Sequence, residues 1–227
     1  MRDFGRPIVH SPRPFPERIV HSGRSVRLDP LTPAHAEPLW PLAAASPESF
    51  GYLRYGPFES PGLFTAFVAD LAGRADQPFW SVEPLGAGKP AGWLSLCDVY
   101  PADSSIEIGS IWFSPELQRT RAATEAIVLL MRHAFDDLGY ERLVWRCAAL
   151  NEASRKAALR YGFVFEGIWR NASIAKGYQR DIAWHSILKD EWPAHRAALE
   201  AWLDDSNFDA DGRAASGLAD IRKRLAL

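Results

Sequence analysis

The segment Pro115–Thr124 (PELQRTRAAT) joins a stretch that reads as a buried strand to the start of the most strongly periodic helix in the chain. The first turn of a helix leaves N–H groups without intrahelical acceptors and carries a partial positive charge, so it can hold a phosphate. The small side chains of Ala122 and Ala123 would let a ligand approach the backbone, and Arg119 and Arg121 could add fork-shaped charge-assisted bonds. The same residues also fit a polar loop with Thr120 as helix cap and two solvated arginines. Other chemistries lack their residues. Gly86-Ala87-Gly88-Lys89 has neither the spacing nor the following Ser/Thr of a nucleotide loop and reads as a hairpin turn. There is no Gly-x-Ser-x-Gly for a serine hydrolase. His35, His133 and His185 have no ligand spacing, so no metal site is expected.

The surrounding periodicity shows what must position that segment. Ile106–Phe113 reads as a strand stopped by Ser114-Pro115. Ile127, Leu130, Met131, Ala134, Phe135 and Leu138 then recur at helical spacing, and Gly139 ends that helix. Arg142–Ala149 (RLVWRCAA) is the next strand, and Asn151 caps a helix that closes at Gly162. Upstream, Ser25–Leu28 is a short strand, and Thr32-Pro33 opens a helix that Pro38 and Pro41 keep short or kinked. Phe50–Phe58 is an aromatic, glycine-punctuated loop. A second helix runs from Ser60-Pro61 to Gly73 with Leu63, Phe64, Phe67, Val68 and Leu71 on one face. Phe79–Val82 and Ala91–Cys97 form a hairpin, Phe163–Trp169 and Arg180–Leu188 are the last strands, and a polar tail carries a helix through Ile221. One strand–helix–strand step, Ile106 to Ala149, lies inside an otherwise antiparallel series. This predicts an α/β fold with a mixed, mostly antiparallel central sheet and helices on both faces. Residues 1–23, with Pro7, Pro12, Pro14 and Pro16, read as an extended N-terminal arm, 24–192 as one domain, and 193–227 as a C-terminal helical, polar extension.

Composition narrows the classes further. The chain has 227 residues, 47% hydrophobic and 24% charged, the balance of a globular protein with a full core. A net charge of -2 argues against duplex nucleic acid as partner. Stacking of single strands on the sheet is disfavoured by the same balance and by burial of both faces. No apolar run approaches the roughly 20 residues of a membrane helix, so no membrane partner is expected. The start Met1–Pro7 lacks a signal-type apolar stretch, and Cys97 and Cys147 make no disulfide framework, so a reduced, cytoplasmic protein is expected.

Gln118-Arg119-Thr120-Arg121-Ala122-Ala123, then Asn151-Glu152-Ala153-Ser154, Tyr161-Gly162-Phe163, Glu166-Gly167 and Leu188-Lys189-Asp190-Glu191-Trp192 follow one another within residues 24–192. In that order they resemble the GNAT superfamily of acyl-CoA-dependent N-acetyltransferases, in the branch of the RimJ/RimL ribosomal-protein N-terminal acetyltransferases. The family loop Gln/Arg-x-x-Gly-x-Gly/Ala binds the CoA pyrophosphate. Gln118 and Ala123 match it, whereas Arg121 stands at the central glycine, so the turn must avoid positive φ there or accept strain.

The resemblance implies a sheet splayed at the cofactor strand pair and acetyl-CoA as co-substrate, bound by Gln118 to Ala123. It also implies direct acetyl transfer to a primary amine, a peptide N-terminus or a small molecule, in a ternary complex. Such a reaction needs a base with a pKa near neutrality and fixed N–H donors for the oxyanion. The resemblance makes Glu107 the base. In a regular strand it shares a face with Gly109, Ile111 and Phe113, where burial would raise its pKa; otherwise it is a surface glutamate. Ser154 is the candidate proton donor to the CoA sulfur, because the family's tyrosine position falls at Ala158; it could also simply bond the backbone. Asn151 combines a cap with a pantetheine contact. Gly109 marks a bulge or close approach, so that Ile111, Trp112 and Phe113 line the cofactor. Tyr52, Arg54, Tyr55 and Phe58 lie where the family selects its acceptor, with packing as the role of at least two. The rival reading is a non-catalytic acyl-CoA-binding or regulatory module, and edge pairing of the last strands would give a homodimer.

Overall fold

Apolar alternation through the chain produces strands β1 (His21–Ser22), β2 (Val26–Pro30), β3 (Phe79–Pro84), β4 (Gly92–Tyr100), β5 (Ser105–Phe113), β6 (Arg142–Ala148), β7 (Val164–Ala175) and β8 (Tyr178–Leu188). The helices are α1 (Ala36–Ala45), α2 (Pro61–Gly73), α3 (Arg121–Arg132), α4 (Glu152–Tyr161), α5 (Trp192–Leu203) and α6 (Leu218–Arg224). These come from a computed structural model that describes residues 11–226, so the first ten residues of the expected N-terminal arm lie outside the described residues. The strands form one sheet in the order β1-β2-β3-β4-β5-β6-β8-β7. β5 and β6 are parallel, and every other neighbouring pair is antiparallel. This is the expected mixed α/β sheet.

Each face carries its own core. On one side α3 is buried at every position from Ala122 to Met131 and packs on Leu94, Leu96, Ile106 and Ile108. On the other, α1 and α2 cover an aromatic cluster of Phe50, Phe64, Phe79, Trp93 and Trp112. Two elements depart from the sequence reading. β7 runs on to Ala175, because Ser173, Ile174 and Ala175 pair with Arg180, Gln179 and Tyr178 although this stretch shows no alternation. The tail begins with a full helix, α5, whose Leu199, Trp202 and Leu203 are buried in the α3-side core.

The N-terminal edge is held by polar contacts with α3. The buried Glu125 carboxylate accepts from the amides of Arg24 and Ser25 and from the Ser25 hydroxyl. Gly23 is required there, since a Cβ would lie 2.5 Å from the Glu125 carboxyl carbon. Next to this turn, the His21 ring packs 4.7 Å from His133 and 5.5 Å from Trp80. Burial and the neighbouring His133 lower the His21 pKa from 6.5 to about 4, while Asp137 works the other way. A histidine held neutral in the fold but charged once unfolded contributes full stability above its unfolded pKa, and loses it as pH falls toward the folded value. Unfolding free energy should therefore drop by about 1–2 kcal/mol between pH 7 and pH 5, allowing for partial solvent access. Urea midpoints of the wild type and His21→Leu at the two pH values check this; an equal drop in both would refute it.

Candidate active site

The parallel pair β5–β6 holds together at only three positions, Ser105↔Arg142, Ile106↔Leu143 and Glu107↔Val144. Beyond Glu107 the two strands pair with their outer neighbours but not with each other, so the sheet splays into a cleft with Glu107 at its apex. Ser114 donates its amide to the Ala91 carbonyl across the β4 ladder, 3.0 Å. Amides alternate along a strand, so that of Phe113, and next toward the bulge that of Ile111, points to the space β6 has left.

A bulge interrupts β5 on the way. Trp93 pairs with Trp112 and Ser95 with Gly109, which leaves one extra residue on β5. The left-handed residue is Ser110, at φ 50°, and not the glycine before it. Gly109 is needed for space instead: a Cβ there would lie 2.8 Å from Cys97 Sγ and 2.9 Å from Glu107 Oε1. The extra residue inverts the alternation. Glu107 and Gly109, opposite Cys97 and Ser95, face α1 and α2 together with Trp112, whereas Ile111 and Phe113 pack on the α3 side. Glu107 therefore does not share a face with Ile111 and Phe113, as a regular strand would require. The Trp112 ring is sealed in the aromatic core, stacked on Phe50 with Nε1 donating to Ser49 Oγ at 2.9 Å, so only its backbone reaches the cleft.

The loop after β5 is wound tightly into α3. Gln118 donates its amide to Ser114 and its side-chain Nε2 to the Phe113 carbonyl at 2.9 Å. Thr120 caps the helix: its Oγ1 accepts from the Ala123 amide at 3.0 Å and donates to the Leu117 carbonyl at 2.7 Å. The positive φ of 64° falls on Arg119, whereas Arg121 opens α3 without it, so the missing motif glycine places no strain on Arg121. Among the described residues, the amides of Arg119, Arg121 and Ala122 have no protein acceptor. The Arg121 guanidinium, read from sequence as a ligand contact, is instead committed to the C-terminal segment. It donates to the Leu203 carbonyl and, at 2.5 Å, to Asp205 Oδ1, and lies 4.3 Å over the Phe208 ring. Arg119 is exposed.

At the apex, Glu107 is 7% exposed and accepts a short hydrogen bond from Arg146 Nε. Burial raises its pKa from 4.5 to about 8. A hydrogen bond with Cys97 works the other way and offsets only part of that rise. Arg146 also pairs with Asp98, which sits at φ 41°, and lies 4.8 Å from the centre of the Trp184 ring. The sequence reading did not link Arg146 to Glu107; the signal was the alternation that puts Arg142, Val144 and Arg146 on one face of β6.

Across the cleft, Asn151 caps α4 by accepting from the Ser154 amide at 3.1 Å, and Ser154 Oγ accepts from Trp145 Nε1 at 3.0 Å. Ala158 is fully buried, and Tyr161 stacks under the helix on Trp145. The four residues before α2 separate. Tyr55 and Phe58 pack into the aromatic core, whereas Tyr52 and Arg54 are exposed. The loop they belong to is tied over the cleft by the β7–β8 hairpin, through Lys176 to the Phe50 carbonyl and Arg180 to the Tyr52 carbonyl, each 2.7 Å. A concavity of about 780 Å³ at Trp169, Arg170, Asn171, Ala172 and Asp181 lies out on that hairpin and holds none of the groups gathered at the splay.

A splayed parallel pair, an anion-ready helix start just beyond it and a buried carboxyl at its apex define an acyl-CoA-binding transferase fold. The acetyltransferase (GNAT) domain family matches residues 25–164. The chain belongs to this family. A GCN5-related N-acetyltransferase from Brucella melitensis is 40% identical and superposes with a TM-score of 0.92 over 94% of this chain and 98% of that one. A protein described as a probable GNAT-family acetyltransferase from Chromobacterium violaceum ATCC 12472 is 36% identical with a TM-score of 0.78, over 83% and 96%. A Bacillus subtilis (strain 168) protein named "Putative ribosomal N-acetyltransferase YdaF" is 31% identical over 109 residues. That match spans 48% of this chain and 59% of the relative. Among the described residues no helix is long and apolar enough to cross a membrane.

Proposed function

We propose that the chain transfers an acetyl group from acetyl-CoA directly to a primary amine, with a peptide N-terminus as the acceptor. The observation that carries this reading is the meeting, where β5 and β6 part, of three amides at the start of α3 without a protein acceptor among the described residues and the buried Glu107 carboxyl. The amides of Arg119, Arg121 and Ala122 suit a diphosphate, and the small Ala122 leaves the backbone open to it. The ionised Glu107 carboxylate takes a proton from the acceptor ammonium, directly or through water, while Arg146 Nε donates to it and holds its orientation. The amides of Ile111 and Phe113 receive the carbonyl oxygen as its charge grows. A nitrogen–carbon bond forms, the carbon–sulfur bond breaks, Ser154 gives a proton to the departing thiolate, and the second proton shed by the nitrogen returns through water to restore the Ser154 hydroxyl. Burial pushes the thiols of Cys97 and Cys147 up, so neither is a thiolate poised to take the acyl group, which supports transfer without a covalent enzyme intermediate. The peptide acceptor is supported by the likeness to YdaF and by Tyr52 and Arg54 at the open face of the cleft.

Release of CoA from acetyl-CoA in the presence of N-terminal peptides tests the proposal, with small amines as the comparison. Ser154→Ala should lower kcat about tenfold, because a thiolate leaves with modest help, and should leave the calorimetric Kd for CoA within about twofold. Tight CoA binding without turnover on any amine would instead support a non-catalytic binding module.

A further inference from the structure

The bulge in β5 is held by side chains that do not belong to β5. Gln77, buried in the loop before β3, donates both protons of its amide nitrogen. One goes to Ser95 Oγ at 2.8 Å and the other to Ser110 Oγ at 2.9 Å. Ser95 in turn donates to the Gly109 carbonyl at 2.8 Å. The Tyr55 hydroxyl, part of the aromatic core on that face, donates to the Ser110 carbonyl at 3.2 Å and accepts from Trp93 Nε1 at 3.1 Å. Gly109 and Ser110 are thus fixed through both carbonyls and the Ser110 side chain, around a serine in the left-handed region that such a residue disfavours.

A regular strand pair needs none of these groups, and buried amides and hydroxyls are tolerated in an aromatic core only when bonded. Trp112, locked in that core, sets the register after the bulge. What remains free is the orientation of the peptide planes at Ser110 and Ile111. We infer that Gln77 and Tyr55 are positioning residues that aim the β5 amides at the thioester carbonyl. The inference rests on the acetyl-transfer reading above. Neither side chain touches the reacting atoms; each acts through Ser110.

Gln77→Leu keeps the volume and removes both donors. It should lower kcat by about 10- to 100-fold while the Kd for CoA, which has no acetyl carbonyl, stays within about twofold. Tyr55→Phe should lower kcat about tenfold in the same pattern. The carbonyl stretch of bound carbon-13-labelled acetyl-CoA, red-shifted by the amides in the wild type, should move back toward its free value in both. Adding Ser110→Gly to Gln77→Leu, which relieves the backbone strain the clamp opposes, should recover part of kcat. Wild-type kcat and an unmoved carbonyl band in both single variants would overturn the inference and leave the transferase reading intact. Loss of the native circular dichroism spectrum in both would also overturn it, by making the clamp structural. A wild type that neither binds CoA nor turns over acetyl-CoA would remove the reading itself.

Discussion

Glu107→Gln should lower kcat by about 10²- to 10³-fold, the range for removal of a positioned general base, while CoA binds with unchanged affinity. Glutamine keeps the shape and can still accept from Arg146, so the ion-pair geometry at the apex is disturbed little. The pH profile carries the sharper test. The carboxylate is the active form, and burial has raised its pKa from 4.5 to about 8. Activity of the wild type should therefore rise with pH on a limb set by Glu107, displaced upward from the ordinary carboxylate range by burial. In Glu107→Gln that limb should vanish and leave a low, flat residue. Full activity in the variant, or a limb that persists in it, would remove Glu107 from the chemistry and leave water or the acceptor's own ionisation as the source of the free amine.

Trp112→Ala should cost about 3–5 kcal/mol of stability, a fall in Tm of about 10 °C for a chain of this size. The ring is 1% exposed, lies 5.1 Å from Phe50 in a stack and 4.5 Å from Trp93, and spans the space between β5 and the loop before α2. Its removal opens a large cavity and takes one donor from the Ser49 hydroxyl, which still donates to the Ser46 carbonyl. Because the side chain faces away from the cleft, CoA affinity measured well below the new Tm should change by less than about threefold. Thermal unfolding followed by calorimetry with CoA separates the two effects. A large loss of affinity in a variant of near wild-type Tm would show that the indole contributes to the cofactor surface after all.

Some of this was readable in the chain itself. Ile127, Leu130 and Met131 declare α3 by their spacing, which Ala134 and Phe135 carry on into the π-helical turn His133–Asp137, and Thr120 and Asn151 mark the starts of α3 and α4 where the structure has them. The parallel step between β5 and β6 followed from a helix-length connection, since parallel neighbours cannot be joined by a tight turn. The C-terminal extension read as helical and polar, but the burial of Leu199, Trp202 and Leu203 of α5 against the α3-side core was not legible behind the charges around them. Nor was the second half of β7, because most of its residues are exposed whichever way they point and only pairing with β8 makes it a strand.

The local pattern determined the elements, their order and the helix start that can hold an anion, because periodicity, caps and turn residues act within a few positions of one another. Tertiary structure alone decided which way the chemistry points. One extra residue at Ser110, invisible to an alternation count, turned Ile111 and Phe113 to the face opposite Glu107. Contacts between residues 39 positions apart gave Glu107 its arginine, and contacts 82 and 84 apart drew Arg121 away from the cleft. Register and long-range pairing depend on the whole core being assembled, and no window of sequence contains that information.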